Sequence, residues 1–142
     1  MKVWLNSKIL GLFLVAGLGC FGGRLVLAQE TEAILLSLGT DGVQRGTMLL
    51  ESYSFTPHHI IVQVGQPVEL VLSNESFLVP HNFILNAPET GILVEKDINS
   101  GNTVTIQFTP ALAGVYPFFC DNQLLFFPSH REEGMEGVLE VR

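Results

Sequence analysis

The chain has 142 residues, room for one domain with a hydrophobic core. Seven Lys/Arg stand against fourteen Asp/Glu, a formal charge of −7, which argues against a nucleic-acid binder working through a basic face. The two cysteines are Cys20 and Cys120, and a disulfide framework fails once Cys20 is assigned to a leader.

The opening reads as such a leader. Lys2 and Lys8 precede an apolar run over 9–20 broken only by glycines, and Val26-Leu27-Ala28 offers the small residues that a signal peptidase reads. Residues 1–28 are therefore expected to be a secretory signal peptide cut before Gln29, with 29–142 as a single domain. The run is short for a membrane-spanning helix, although an uncleaved N-terminal anchor is the alternative. A lipoprotein signal at Cys20 lacks the leucine expected three positions earlier, where Gly17 stands. Cleavage removes Lys2, Lys8 and Arg24, leaving four Lys/Arg against fourteen Asp/Glu, a charge of −10 and Cys120 as the one thiol. The expectation is a secreted protein, periplasmic in a bacterium, with no transmembrane segment in the mature chain.

Beyond the leader the chain is a series of short apolar segments separated by turn residues. Residues 33–38 read as a first strand, 47–55 as a second, stopped at Thr56-Pro57, and 60–64 as a third. In 68–73, Val68, Leu70 and Leu72 share one face. Residues 81–86 follow, then a looser segment over 92–98. Residues 103–108 place Val104, Ile106 and Phe108 inward, and 115–120 and 138–141 complete the set. Pro and Gly leave no room for a three-turn helix except over 131–136. Seven to eight short strands at this spacing predict one all-β antiparallel sandwich.

The segment 116–137 carries the chemistry. It holds Cys120, His130 after nine intervening residues and Met135 after four more, and His81 lies upstream at a strand start. Tyr116, Phe118 and Cys120 have one parity, so an inward Phe118 aims the thiol inward too. Two imidazoles, a thiolate and a weak thioether are the ligand set of a mononuclear copper electron-transfer centre, because soft sulfur suits Cu(I) while imidazole suits Cu(II). Asn82 follows His81 and Asp121 follows Cys120, positions from which donors can tune the sulfur. Each residue alone has a plainer reading: a buried small hydrophobe for Cys120, core filler for Met135 and a loop histidine for His81. Their combination favours the metal.

These motifs, Pro80-His81-Asn82 and Tyr116…Cys120…His130…Gly134-Met135-Glu136-Gly137, resemble those of the cupredoxins, the blue (type 1) copper proteins of the plastocyanin and azurin kind. The resemblance spans the mature chain from Phe55 to Val141 and implies a Greek-key sandwich. It implies His81, Cys120 and His130 as strong copper ligands, Met135 as the weak axial one, Asn82 as the tie between ligand loops, and the Pro80 carbonyl near the axis. The Cys-to-His interval is longer than in plastocyanin-like members and nearer to that of the type 1 domain in copper nitrite reductases. Nitrite reduction would need a second copper held by further histidines. The spare pair, His58 and His59, would point to opposite sides of an extended strand, one toward the core and one toward solvent.

The resemblance and the donor set together lead to an expectation of one copper per chain in an exported one-electron carrier that is not itself an enzyme. Leu124, Leu125, Phe126, Phe127 and Pro128 would form an apolar collar around His130, or else plug the end of the sandwich. Glu132, Glu133 and Glu136 would steer a basic redox partner, such as a c-type cytochrome or a membrane or periplasmic oxidoreductase. The rival readings are a periplasmic copper carrier, chaperone or sensor on the same fold, and a piece of a larger oxidase or reductase.

Overall fold

A computed structural model describes residues 32–142; the expected leader over 1–28 and its cleavage point lie outside the described residues. Two sheets pack face to face. The first has six strands in the order β1 (Ile34–Leu35), β5 (His59–Val62), β11 (Glu136–Val141), β10 (Gly114–Phe119), β7 (His81–Ala87) and β8 (Ile92–Ile98). The second runs β2 (Ser37–Leu38), β3 (Gln44–Glu51), β6 (Val68–Asn74) and β9 (Thr103–Phe108), with β4 (Ser54–Thr56) also on β3. A single 3₁₀ turn, Pro88–Thr90, joins β7 to β8. Among the described residues no helix is long and apolar enough to cross a membrane.

The eight strands of four or more residues fall on expected segments, and the short β1, β2 and β4 arise where two expected strands each divide. The single strand expected over 33–38 is two. Residues 34–35 pair parallel with β5, residues 37–38 pair antiparallel with β3, and buried Leu36 marks the crossing from one sheet to the other. The strand expected over 47–55 is a hairpin instead. Glu51 pairs with Ser54 around a turn at which Ser52 takes φ 44°. Serine hides this turn, because glycine or asparagine is the usual mark of positive φ. The sandwich is also not wholly antiparallel: β1–β5, β5–β11 and β3–β6 are parallel pairs. Side-chain alternation reports a face and carries no direction, so periodicity could not show this. Where a helix had room over 131–136, residues 131–134 form a tight turn, with Gly134 N–H on the Arg131 carbonyl at 2.9 Å, and Glu136 already opens β11.

Alternation fills the space between the sheets. In β6, Val68, Leu70, Leu72 and Asn74 are buried while the residues between them are half-exposed. Ile106 of β9 is buried, and Val104 and Phe108 pack against the core. Under the ligand-bearing end lie three rings: Phe83 stacks on Phe118 at 5.1 Å, and Phe55 meets both edge-on at 5.9 and 5.2 Å. Fully burying each phenyl contributes about 1.5–3 kcal/mol, so the end of the sandwich that carries the site rests on a buried aromatic layer.

Gly137 pairs with Phe118 across β11 and β10, and a Cβ there would run into the His58 carbonyl and the Phe118 ring. Gly137→Ala is expected to cost about 1–3 kcal/mol, read as a lower urea midpoint at unchanged slope. A midpoint equal to wild type would contradict this packing.

Candidate metal centre

Three elements bring the donors together. β7 opens with His81, which pairs with Ile98 of β8 and is 0% exposed. β10 ends at Phe119, so Cys120 stands just past the strand, where parity with buried Phe118 turns its thiol inward. The return loop from 121 to 135 then carries His130 back over the cysteine. His130 N–H donates to the Asn122 carbonyl at 2.8 Å, Met135 N–H to the His130 carbonyl at 2.9 Å, and Cys120 N–H to the Met135 carbonyl at 3.1 Å. These bonds close the loop onto its own start, and Gly134 at φ 99° supplies the reversal before Met135.

Cys120 Sγ lies 3.3 Å from His130 Nδ1 and 3.9 Å from His81 Nδ1, and the two Nδ1 atoms are 3.1 Å apart. Among the described residues this is the one group of three or more His, Cys, Asp or Glu side chains close enough to share a metal ion. The spacing fits one: metal bonds of about 2.0–2.3 Å place ligand atoms about 3–4 Å apart. The donor set fits copper, a soft sulfur beside two imidazoles. Met135 is fully buried in the same core cluster as Cys120, and its main chain bridges Cys120 and His130.

The surroundings suit a thiolate and two neutral imidazoles. Asn82 N–H donates to Cys120 Sγ at 3.3 Å, Asn82 Nδ2 donates to Asp121 Oδ1 at 2.7 Å, and Asp121 N–H donates to Asn82 Oδ1 at 3.0 Å. Asn82 thus ties the His81 strand to the end of β10 through three bonds. Asn122 Nδ2 adds a fourth tie, to the Pro80 carbonyl at 3.0 Å. Burial pushes the metal-free Cys120 thiol up, partly offset by the N–H groups of Asn82 and Asn122. Burial lowers His130, and burial together with the neighbouring His130 pulls His81 down to about 4. Two imidazoles that resist protonation keep their lone pairs free.

Over His130 the surface is apolar. The collar segment is exposed rather than a plug: Leu125 and Phe126 are 78% and 84% exposed, and Leu124, Phe127 and Pro128 are exposed as well. Phe126 and Phe127 stack at 4.9 Å, and a turn from Phe127 N–H to the Leu124 carbonyl at 3.0 Å holds them. Phe77 and Leu78, from the loop between β6 and β7, are also exposed. His130, Tyr53 and Leu124 line two adjoining depressions, which Leu78 and Pro80 complete on one side and Phe127 and Glu133 on the other. Of the acidic trio, Glu132 is occupied in binding Ser129 and Glu136 pairs with Arg131 at 3.4 Å. Glu133 stands at the rim.

Sequence reasoning missed Ser76, Asn122 and Tyr53. Ser76 Oγ is 2.9 Å from His81 Nε2, and Tyr53 meets the His130 ring edge-on at 5.1 Å. The Asn74-Glu75-Ser76 stretch before Pro80-His81 held the only signal for the first. The spare histidines do not divide into one core-facing and one solvated. Both are half-buried, and His59 Nε2 sits 3.0 Å from Glu140 Oε2. β5 pairs only with short β1 on its outer side, so its first residue is covered on one flank alone.

A buried thiol between two facing imidazoles at the end of a β-sandwich defines a copper-binding type of domain. The family described as "Cupredoxin-like domain" matches residues 25–132, and the chain belongs to it. No curated protein matches the sequence. Among solved structures, the metal-binding domain of the Streptococcus pneumoniae D39 Cu(I)-exporting P-type ATPase CopA with Cu(I) is 23% identical with a TM-score of 0.58, over 79% of this chain and 97% of that one. Auracyanin A, a "blue" copper protein from Chloroflexus aurantiacus, is 22% identical with a TM-score of 0.57, over 71% and 100%. A multicopper oxidase is 16% identical with a TM-score of 0.57, over 78% and 47%. At these identities the likeness is one of fold.

In the metal-free chain a depressed His81 pKa makes stability depend on pH. The unfolded histidine binds its proton near 6.5 and the folded one near 4, so the unfolded state holds more protons between these values. Stability present above pH 6.5 is therefore lost as pH falls toward 4, by an amount on the order of 3 kcal/mol. Urea titrations of wild type and His81→Asn from pH 7 to 4 check this: the wild type should lose more. Parallel curves would contradict the burial effect.

Proposed function

We propose that this protein is an exported, mononuclear type 1 copper protein that carries one electron at a time between redox partners. The observation that carries the reading is the buried triangle of Cys120 Sγ, His81 Nδ1 and His130 Nδ1 with sides of 3.1–3.9 Å, next to Met135. In this reading His81, Cys120 and His130 are the strong ligands and Met135 the weak axial one. Bound copper would supply the Cu(I)/Cu(II) couple. The chain contributes stiffness. β7 fixes His81, β10 fixes Cys120, and Asn82 binds the two strand ends together, so the donors move little when charge changes. Asn82 N–H draws electron density from the sulfur, which tunes the potential.

The electron's route in this reading is His130, the donor nearest the surface, at the floor of the apolar depressions. Leu124 to Pro128, with Phe77 and Leu78, exclude water at a docked interface, and Glu133 with the net negative charge favours a basic partner. A c-type cytochrome or a membrane or periplasmic oxidoreductase has the required chemistry. No substrate transformation by the chain itself belongs to this reading, and the acidic mature surface suits a periplasmic or secreted carrier.

A copper carrier or chaperone is the second reading. The depressions over His130 favour it, since the opening that passes an electron would also admit an acceptor's thiol. Ready release of Cu(I) to an apo-acceptor would support transfer of the metal, whereas rapid electron exchange with metal retained would support the shuttle.

Adding Cu(II) to the metal-free protein is expected to produce an intense visible band from thiolate-to-copper charge transfer at one copper per chain. Cys120→Ser should abolish the band, while Met135→Leu should keep a band and shift the potential. A colourless copper-loaded wild type would sink the type 1 assignment.

A further inference from the structure

His81 has two ring nitrogens, and only Nδ1 faces the other donors. Nε2 faces the loop between β6 and β7 and meets Ser76 Oγ at 2.9 Å. That loop is fixed from beneath. Asn74, 1% exposed, donates through Nδ2 to the carbonyls of Val79 and Ile98, both at 2.9 Å, and accepts Ser76 N–H on Oδ1 at 2.9 Å. The single proton of Ser100 Oγ is shared between the carbonyls of Ser76 and Phe77. The main chain on both sides of Ser76 is therefore anchored by partners other than its own hydroxyl, and the hydroxyl is left for the imidazole.

A metal bound at Nδ1 requires a neutral ring whose proton is on Nε2, and a hydrogen-bond acceptor at Nε2 fixes that tautomer. Without metal, the 3.1 Å contact between the two Nδ1 atoms needs a proton on one of them. When His81 supplies it, its Nε2 carries a lone pair. A main-chain carbonyl could only accept and would leave Nε2 unpaired in that state. A serine hydroxyl both donates and accepts, by rotating about its Cβ–Oγ bond.

We propose that Ser76 is the positioning residue for His81, its hydroxyl partnering Nε2 in both tautomers. On metal binding, Nδ1 gives its proton to solvent and Nε2 takes one up. The ring stays neutral, and Ser76 changes from donor to acceptor while the imidazole keeps its place. Removing the hydroxyl leaves a ring nitrogen of a fully buried side chain without its partner. This role rests on reading the cluster as a metal centre.

The test uses the full chain as wild type, Ser76→Ala and Ser76→Thr, with Zn(II) and Cu(I) as probes in competition with chromophoric chelators. Ser76→Ala is expected to weaken both metals about 10–100-fold, with Ser76→Thr restored to within about threefold of wild type. In the zinc-loaded wild type, ¹⁵N NMR should place the His81 proton on Nε2. Wild-type affinity in Ser76→Ala, a Ser76→Thr chain as weak as Ser76→Ala, or an unprotonated Nε2 in the zinc form would each overturn the role of Ser76. A wild-type chain that takes up neither metal would overturn the metal-centre reading instead.

Discussion

Asn82 holds the site together. It is 4% exposed, and its main-chain N–H meets Cys120 Sγ while its side-chain amide closes a two-bond ring with Asp121. β7 and β10 already pair through Leu85 with Phe118 and Ile84 with Phe119, but this pairing stops short of the donors. Asn82 extends the join to the cysteine itself. His81 is its immediate neighbour, so the same three bonds fix the distance between an imidazole and a thiol that come from different strands.

The cost of the arrangement is concentrated in the same place. A thiol and two imidazoles are withdrawn from water, and burial disfavours the charged form of each. Without a metal, the thiol proton and the proton on one Nδ1 must fit among three atoms only 3.1–3.9 Å apart, which is a poor match for them. The aromatic trio of Phe55, Phe83 and Phe118 directly beneath offsets part of this cost and prevents the strand ends from spreading. Apart from the Asn82 N–H on Cys120 Sγ, the framework is packed and hydrogen-bonded independently of the donors, so it needs no metal to keep the cluster assembled.

Much of this was legible in the sequence, for identifiable reasons. Period-two alternation in 68–73 and 103–108 reports burial on one face, and the structure buries Val68, Leu70, Leu72 and Ile106. Parity along Tyr116, Phe118 and Cys120 gave the direction of the thiol, and the motifs around His81 and His130 gave its companions. Pairing direction was not legible, nor was the sheet-switch at Leu36, since both depend on which strands meet in space. Ser52 concealed a hairpin by taking a backbone conformation that serine rarely adopts. Tyr53 reaches the His130 ring from a hairpin far away in sequence, and Ser76, five residues before His81, folds back on its imidazole through a loop whose shape no spacing rule foretells. Leu78 adds to the apolar lining over His130, arriving from a loop far from the 124–128 segment in sequence.

The central claim is that one metal sits among Cys120, His81 and His130. X-ray absorption at the copper edge of the chain loaded with one equivalent of copper tests it most directly. The account predicts one short sulfur bond and two imidazole nitrogens, all at about 2.0–2.3 Å, with the sulfur lost in Cys120→Ser. A shell of nitrogen and oxygen alone, unchanged by that substitution, would contradict it.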